Sequence, residues 1–144
     1  MKLEQQVCSL ELSKRLRELV VRQESVFYWV KHIGYEPYLQ ASKEAPSGVW
    51  VEGTEVYSAF TVAELGEMLP LYIGNANANG LEQPYALFTS WNDTEGWSVA
   101  YCPPGGGTMA YHLQVENTEA DARAKCLIYL IENGLIEGYD KIPV

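Results

Sequence analysis

Residues 118–134, TEADARAKCLIYLIENG, constrain the fold more than any other stretch, because each local signal in them predicts the same helix. Thr118 can accept a hydrogen bond from a free N–H group of the first turn. Glu119 and Asp121 place negative charge at the positive end of the helix dipole. Gly134 supplies the left-handed residue that commonly ends a helix. The helical spacing of one apolar stripe predicts that this side is buried; the stripe is Ala120, Ala124, Leu127, Ile128 and Ile131.

Three strands are predicted before this helix, at residues 85–91, 97–102 and 109–115. In the last two, large apolar residues alternate with small or polar ones. NDTEG and PPGGGT are predicted to connect them as turns. Residues 61–70 predict a further helix, since Thr61 and Glu64 have the spacing of a capping box. We therefore predict an α-β-β-β-α unit in residues 61–134.

The N-terminal segment predicts a helix that Ser9 caps and that ends near Val21, followed by a strand at residues 26–30. The alternative is a helix-turn-helix, in which Arg22, Gln23 and Ser25 begin a recognition helix. Residues 34–48 predict a loop, and residues 49–51 a short strand that pairs with residues 26–32. The chain, 1–144, is thus predicted to be a single α+β domain: an antiparallel sheet of three to five strands packed by helices, with the N-terminal helix and strand in residues 9–32.

Alternation also predicts the strand register. For the apolar side chains of both strands to share a face, Tyr101 should oppose Tyr111 and Val99 should oppose Leu113. That face is predicted to lie under the C-terminal helix. The other face would then carry Cys102 and the small or polar Ser98, Ala100, Ala110 and Gln114. It would be covered by the first helix and the strand of Phe27 and Trp29, or by a second subunit.

His112 is predicted to share that other face with Cys102, in a diagonal position. Diagonal Cα atoms lie about 7–8 Å apart, whereas a cysteine nucleophile needs its base within about 3 Å. No carboxylate in either strand can orient the imidazole. We therefore predict no catalytic residues, and the protein is expected not to be an enzyme.

The charge pattern disfavours a nucleic-acid partner. Net charge is −9, and residues 61–144 hold three Lys and Arg against eleven Asp and Glu. An acidic surface repels phosphate backbones. The one basic cluster, in the first predicted helix and just after it, contains Lys14, Arg15, Arg17 and Arg22.

Cysteine usage and hydropathy predict a cytoplasmic protein. Cys8, Cys102 and Cys126 are odd in number and lack C-x-x-C spacing, which indicates reduced thiols. No apolar run is long enough to span a bilayer, and the N-terminus lacks the apolar core of a signal peptide. The two His and three Cys show no metal-ligand spacing. Loops 74–84 and 103–107 could contact a ligand, but they contain no phosphate-binding motif, so no cofactor or metal is predicted.

The stretches CSLELSKRLREL, QESVFYWV, YSAFTVAELGEMLP and TEADARAKCLIYLIENGLI resemble those of uncharacterised small phage and prophage proteins. The predicted order of elements after residue 61 is similar to phage α/β sandwich domains and to double-stranded RNA-binding domains. The RNA-binding family has a Lys cluster where its last helix begins. This chain has Glu119 and Asp121 there, so the resemblance implies a mobile-element origin without RNA binding.

We therefore predict a non-enzymatic protein-interaction module that binds a host or phage protein through aromatic or acidic surface. The alternatives are a protein that sequesters a small ligand such as a nucleotide, and a nucleic-acid-binding protein that uses the basic helix. With ten Tyr and four Trp, the chain is also predicted to form a homodimer. The candidate interaction residues are Arg15, Arg17, Arg22, Cys102 and His112.

Overall fold

The computed structural model describes residues 2–74, 85–103 and 110–136. After a one-turn 3-10 helix, Leu3–Gln5, the helices are α1 (Leu10–Glu18), α2 (Val62–Met68) and α3 (Glu119–Glu132). The strands are β1 (Phe27–Lys31), β2 (Tyr38–Gln40), β3 (Glu55–Ala59), β4 (Tyr72–Ile73), β5 (Tyr85–Asn92), β6 (Gly96–Cys102) and β7 (Tyr111–Glu116). Most of loops 74–84 and 103–107 lies outside the described residues.

The strands form two antiparallel sheets, which confirms the predicted α+β class. The first sheet has the order β2-β1-β3, and the second has the order β4-β5-β6-β7. The predicted unit of residues 61–134 is therefore present with one addition, the two-residue strand β4 at the edge of its sheet.

The N-terminal strand is confirmed, and the alternative recognition helix is wrong because β1 is extended from Phe27 to Lys31. Its predicted partner at residues 49–51 is also wrong. Val49 and Val51 are 79% and 75% exposed, and the chain turns at Gly53, with φ +86°, before the pairing strand begins. Strand β3 pairs with β1 instead, and β2 arises inside the segment that was predicted to be a loop.

The helix caps follow the sequence closely. The Ser9 side chain accepts a hydrogen bond from the Leu12 N–H, and Thr118 accepts one from the Asp121 N–H. Thr61 and Glu64 form the predicted capping box. Each cap satisfies N–H groups that the helix itself leaves free, which explains why these three helices begin where local sequence predicts.

The main core lies between α3 and the second sheet, with α1 and α2 closing it. Leu127 on α3 is fully buried with Val99 and Tyr101 of β6, and Leu16 and Leu65 bring α1 and α2 into the same cluster. The predicted burial of the α3 stripe is thus confirmed for Ala120, Ala124, Leu127 and Ile128, whereas Ile131 is only partly buried. The Tyr101 hydroxyl donates to the Pro70 carbonyl at 2.7 Å, so the polar end of this buried ring is satisfied.

Polar contacts attach α1 to α3. Asp121 accepts a hydrogen bond from the Ser9 N–H at 2.8 Å, and Arg15 contacts Glu132 at 3.1 Å. Burial raises the pKa of Asp121, while the Ser9 hydrogen bond opposes that rise. Because α1 lies against α3 and β3, it does not cover the other face of the second sheet, contrary to one predicted arrangement.

Candidate interaction surfaces

A bulge in β7 decides which side chains the second sheet exposes. Tyr101 opposes Tyr111, as predicted, but Val99 opposes Gln114, so the predicted pairing of Val99 with Leu113 is wrong. Between these two cross-strand pairs, β7 therefore has two residues, His112 and Leu113, whereas β6 has only one. His112 takes φ +59°, the left-handed conformation typical of one bulge class. Beyond the bulge, every β7 side chain points to the face opposite to the predicted one.

The face of the second sheet away from α3, here called the open face, is consequently apolar and uncovered by the described residues. Cross-strand pairing places Phe88 with Ala100 and Val115 with Ser98 on this face, and Tyr72 with Ala86. The exposed fractions are 63% for Tyr72, 53% for Phe88, 50% for Leu113 and 38% for Val115. The sequence predicted small and polar residues here, including Gln114, which the bulge places on the opposite face.

No charged side chain lies on the open face within the described strands. Its remaining members are neutral: Ala86, Ser90, Asn92, Ser98, Ala100 and Cys102. Contiguous exposed apolar surface of this kind often marks an interaction site.

The predicted neighbours Cys102 and His112 lie on opposite faces. Cys102 pairs with Ala86 and faces the open side, whereas the His112 ring lies 5.2 Å from the ring of Tyr129 on α3. Partial burial lowers the pKa of His112. The expected diagonal placement on one face is therefore wrong, and the two side chains do not form a common site.

The other two thiols are buried in the core. Burial raises the pKa of Cys8 to about 11, although a contact with the Ser13 hydroxyl at 3.2 Å opposes the rise. Burial also raises the pKa of Cys126 to about 12. A thiol is nucleophilic as its thiolate, so both side chains should be unreactive in the folded protein.

We expect alkylation to distinguish the three cysteines. With iodoacetamide at pH 8, Cys102 should react first, because it is partly exposed, whereas a pKa of about 11 leaves about one Cys8 thiolate per thousand molecules. Mass spectrometry of timed digests measures the order, and Cys102→Ser should remove the fast phase. Fast modification of Cys8 or Cys126 in the folded protein would contradict the burial described above.

The candidate arginines have different surroundings. Arg15 is engaged by Glu18 at 3.0 Å and Glu132 at 3.1 Å. The Arg17 guanidinium lies 5.2 Å from the centre of the Tyr57 ring, and in the described part of the chain neither it nor the exposed Arg22 has an ion pair. Arg17 and Arg22 therefore keep a positive charge available to a partner, whereas Arg15 holds α1 against α3.

A polar cluster surrounds His32 and was not predicted from the sequence. Its Nδ1 lies 2.9 Å from the Thr54 hydroxyl and its Nε2 lies 3.0 Å from the Tyr38 hydroxyl, with the Trp50 ring at 5.8 Å. These residues come from separate segments, so no local pattern indicates them. Both ring nitrogens are engaged by neutral hydroxyls, which suits a structural role that holds residues 50–54 against the first sheet.

A cavity of about 520 Å³ lies where α2 and α3 begin, beside Trp97 and Gln5. The hydroxyls of Thr61 and Thr118 line it, but each accepts a hydrogen bond from its own helix. The caps therefore occupy one first-turn N–H group of each helix, at Glu64 and at Asp121, that could otherwise donate to an anion there.

Among the described residues, no group of three or more His, Cys, Asp or Glu is arranged to hold a metal ion. No helix in residues 2–74, 85–103 and 110–136 is long and apolar enough to cross a membrane.

Comparison of the chain with protein-family models, with curated proteins and with solved structures finds no match in any of the three. The resemblance to small phage and prophage proteins therefore stays a prediction.

Proposed function

We propose that this protein is a non-enzymatic interaction module that pairs through its open face with a second copy of itself. The observation that carries the proposal is the row of exposed apolar side chains on that face, Tyr72, Phe88, Leu113 and Val115. Burying such surface is the main favourable contribution in most protein associations.

Charge permits a second copy as the partner. In a two-fold interface the same surface patch meets itself, so a charged patch would repel its own copy. The open face carries no charge, while the rest of the chain gives the net −9. Repulsion between those charges is screened beyond about 8 Å at physiological salt, which lets the neutral faces approach.

The size of the face predicts a weak dimer. Three long strands and one short edge strand cover about 20 Å by 23 Å at the usual strand spacing and rise. This is smaller than the roughly 800 Å² that each partner buries in a standard interface. We therefore expect the dimer to dissociate in the micromolar range.

A phage or mobile-element origin and a cytoplasmic setting belong to the same hypothesis. The three free cysteines support the cytoplasmic setting, because reduced thiols persist there. The alternative of DNA binding by a recognition helix has lost its structural basis, since the segment is a strand.

Sedimentation velocity between 1 and about 100 µM tests the proposal. The wild-type protein should rise in weight-average mass above 16.2 kDa with concentration, and added salt should promote the rise. Phe88→Asp should keep the protein monomeric, because it places a charge in the contact. Trp91→Asp is the matched control: Trp91 is 59% exposed on the same strand but three residues away, on the opposite face.

If the wild-type protein stays monomeric throughout the concentration range, the proposal that a second copy binds the open face is wrong. Dissociation by Trp91→Asp and not by Phe88→Asp would place the contact on the other side of the sheet. Circular dichroism of each variant checks that the fold is intact, as both side chains are exposed.

A further inference from the structure

The outer edge of β3 borders a groove of about 600 Å³. It is lined by strand residues 54–58, which include Glu55, and by Arg17, Gln23, Tyr28, Lys43, Glu44 and Trp50. In the described sheet β3 pairs with β1 alone, so from Glu55 to Ala59 this edge has no neighbouring strand. Just past β3, the Cys8 N–H donates to the Phe60 carbonyl, so residues 6–8 pair with the chain from there on. Such an edge can accept an extended peptide through main-chain hydrogen bonds.

The direction of the main-chain groups follows from one hydrogen bond. The Ser58 N–H donates to the Gln23 side-chain oxygen at 2.8 Å, so it points away from β1 and into the groove. Main-chain groups of a strand point to the same side at every second residue. The N–H and carbonyl of Val56 therefore also point outward, and the Gln23 amide already occupies the position of a partner strand beside Ser58.

Some of the positive charges near the groove have ion-pair partners and others do not. Lys43 contacts Glu24 at 3.1 Å, and Lys14 contacts Glu55 at 3.7 Å. Arg17 has no ion pair among the described residues and lies over the Tyr57 ring. An adjoining hollow of about 510 Å³ shares Arg17 and Gln23 and extends to Arg22.

The two free guanidinium groups of Arg17 and Arg22 therefore lie at the Gln23 end of the groove. A carboxylate can form two parallel hydrogen bonds with such a group.

A buried hydroxyl on the groove floor is also without a partner. Ser58 is fully buried, and in the described part of the chain its Oγ makes no hydrogen bond. An unsatisfied buried polar group is unfavourable, but a hydroxyl with no exposure is not accessible to a bound peptide, so it does not identify the ligand.

We propose that this groove binds an extended peptide with an acidic side chain, which adds as a fourth strand beside Val56 and places its carboxylate at Arg17. The proposal is independent of the open face and of dimerisation. A phosphate ligand fits less well, because the outward Val56 carbonyl would repel it, whereas a peptide N–H can donate to that carbonyl.

Selection of a random nine-residue peptide library against the full-length protein supplies the probe. Enriched peptides should combine alternating apolar residues with Asp or Glu, and their affinity is then measured by fluorescence polarisation. Val56→Pro should weaken binding about tenfold, since it removes the outward N–H while sparing the ladder to β1. Val56→Ala, which keeps the N–H, should bind within about threefold of wild type.

Arg17→Gln should weaken binding of the same peptide about tenfold and reduce its dependence on salt. Arg15→Gln is the matched control, because that guanidinium is held by Glu18 and Glu132. If Val56→Pro does not fold, hydrogen exchange of the wild-type Val56 amide replaces it: peptide binding should slow that exchange.

Several results would overturn the proposal. These are a selection without enrichment, equal binding by the proline and alanine variants, or an unchanged Val56 exchange rate. Peptide binding lost in Phe88→Asp alone would assign the peptide to the open face and leave the proposed dimer to its own test. A thermal shift with ATP that depends on Arg17 and not on Val56 would assign the groove to an anion instead.

Discussion

Replacing Leu127 with Ala should lower the free energy of unfolding by about 2–5 kcal/mol, the range for large-to-small changes in a core. Leu127 is fully buried in the cluster where α3 meets β6, beside Val99 and Tyr101. The loss combines the transfer of apolar atoms to water with the cavity that remains. Urea denaturation of wild type and variant measures the difference.

Leu113→Ala is the matched control for that substitution. Leu113 is 50% exposed on the open face, so in the monomer the same change should alter the free energy of unfolding by less than about 1 kcal/mol. Both measurements should be made at low micromolar protein concentration or below, so that the protein is monomeric. A loss below about 1 kcal/mol for Leu127→Ala would show that α3 buries another side.

Replacing the left-handed residue just after each of α1 and α3 should change the free energy of unfolding in opposite directions: Val20→Gly should raise it, and Gly134→Val should lower it. Both helices end in the same hydrogen-bonded motif, with Val21 N–H to Leu16 carbonyl in α1 and Leu135 N–H to Leu130 carbonyl in α3. The left-handed position is Gly134 in α3, with φ +67°, but Val20 in α1, with φ +66°. A β-branched residue is strained in this conformation.

We expect Gly134→Val to cost about 1–2 kcal/mol, because the left-handed conformation is unfavourable for a residue with a Cβ atom. Among the described residues no atom lies within 4 Å of the Cβ that would be added at Gly134, so the variant tests conformation and not a clash. Val20→Gly should stabilise by about 0.5–1 kcal/mol, since glycine removes the strain but loses more entropy on folding.

Thermal and urea unfolding of both variants give the two values. Val20 is 70% exposed, so its side chain contributes little burial that could offset the strain. A destabilised Val20→Gly variant would therefore mean that Val20 makes a stabilising contact.

Local sequence predicted the elements whose causes are local. Thr118, Thr61 and Ser9 cap helices because each side chain lies within one turn of the N–H group from which it accepts a hydrogen bond. Residues 26–30 predicted a strand, since β-branched and aromatic side chains fit a pleated surface. The partner of that strand was predicted wrongly, because the chain first turns at Gly53 and the strand that pairs with β1 begins only after this turn.

The candidate site was only partly predictable, for the same reason. The sequence indicated a second sheet face away from the C-terminal helix and named Arg17 and Arg22 as candidate interaction residues, and these two have no ion pair in the described residues. It did not indicate which side chains the face exposes. That depends on one extra residue at His112, and no local pattern distinguishes a bulge from a regular strand there.

The sequence by itself determined the α+β class, the helix that covers the sheet and the charge of the chain, because hydrophobic periodicity, capping and composition act within a few residues. Only the tertiary structure decided that the strands divide into two sheets and that Leu113 faces outward. It also decided that the edge of β3 lies beside Arg17. These features depend on contacts between distant segments. A register shift of one residue reverses every later side chain in a strand, and its outcome is set by the packing of the whole core.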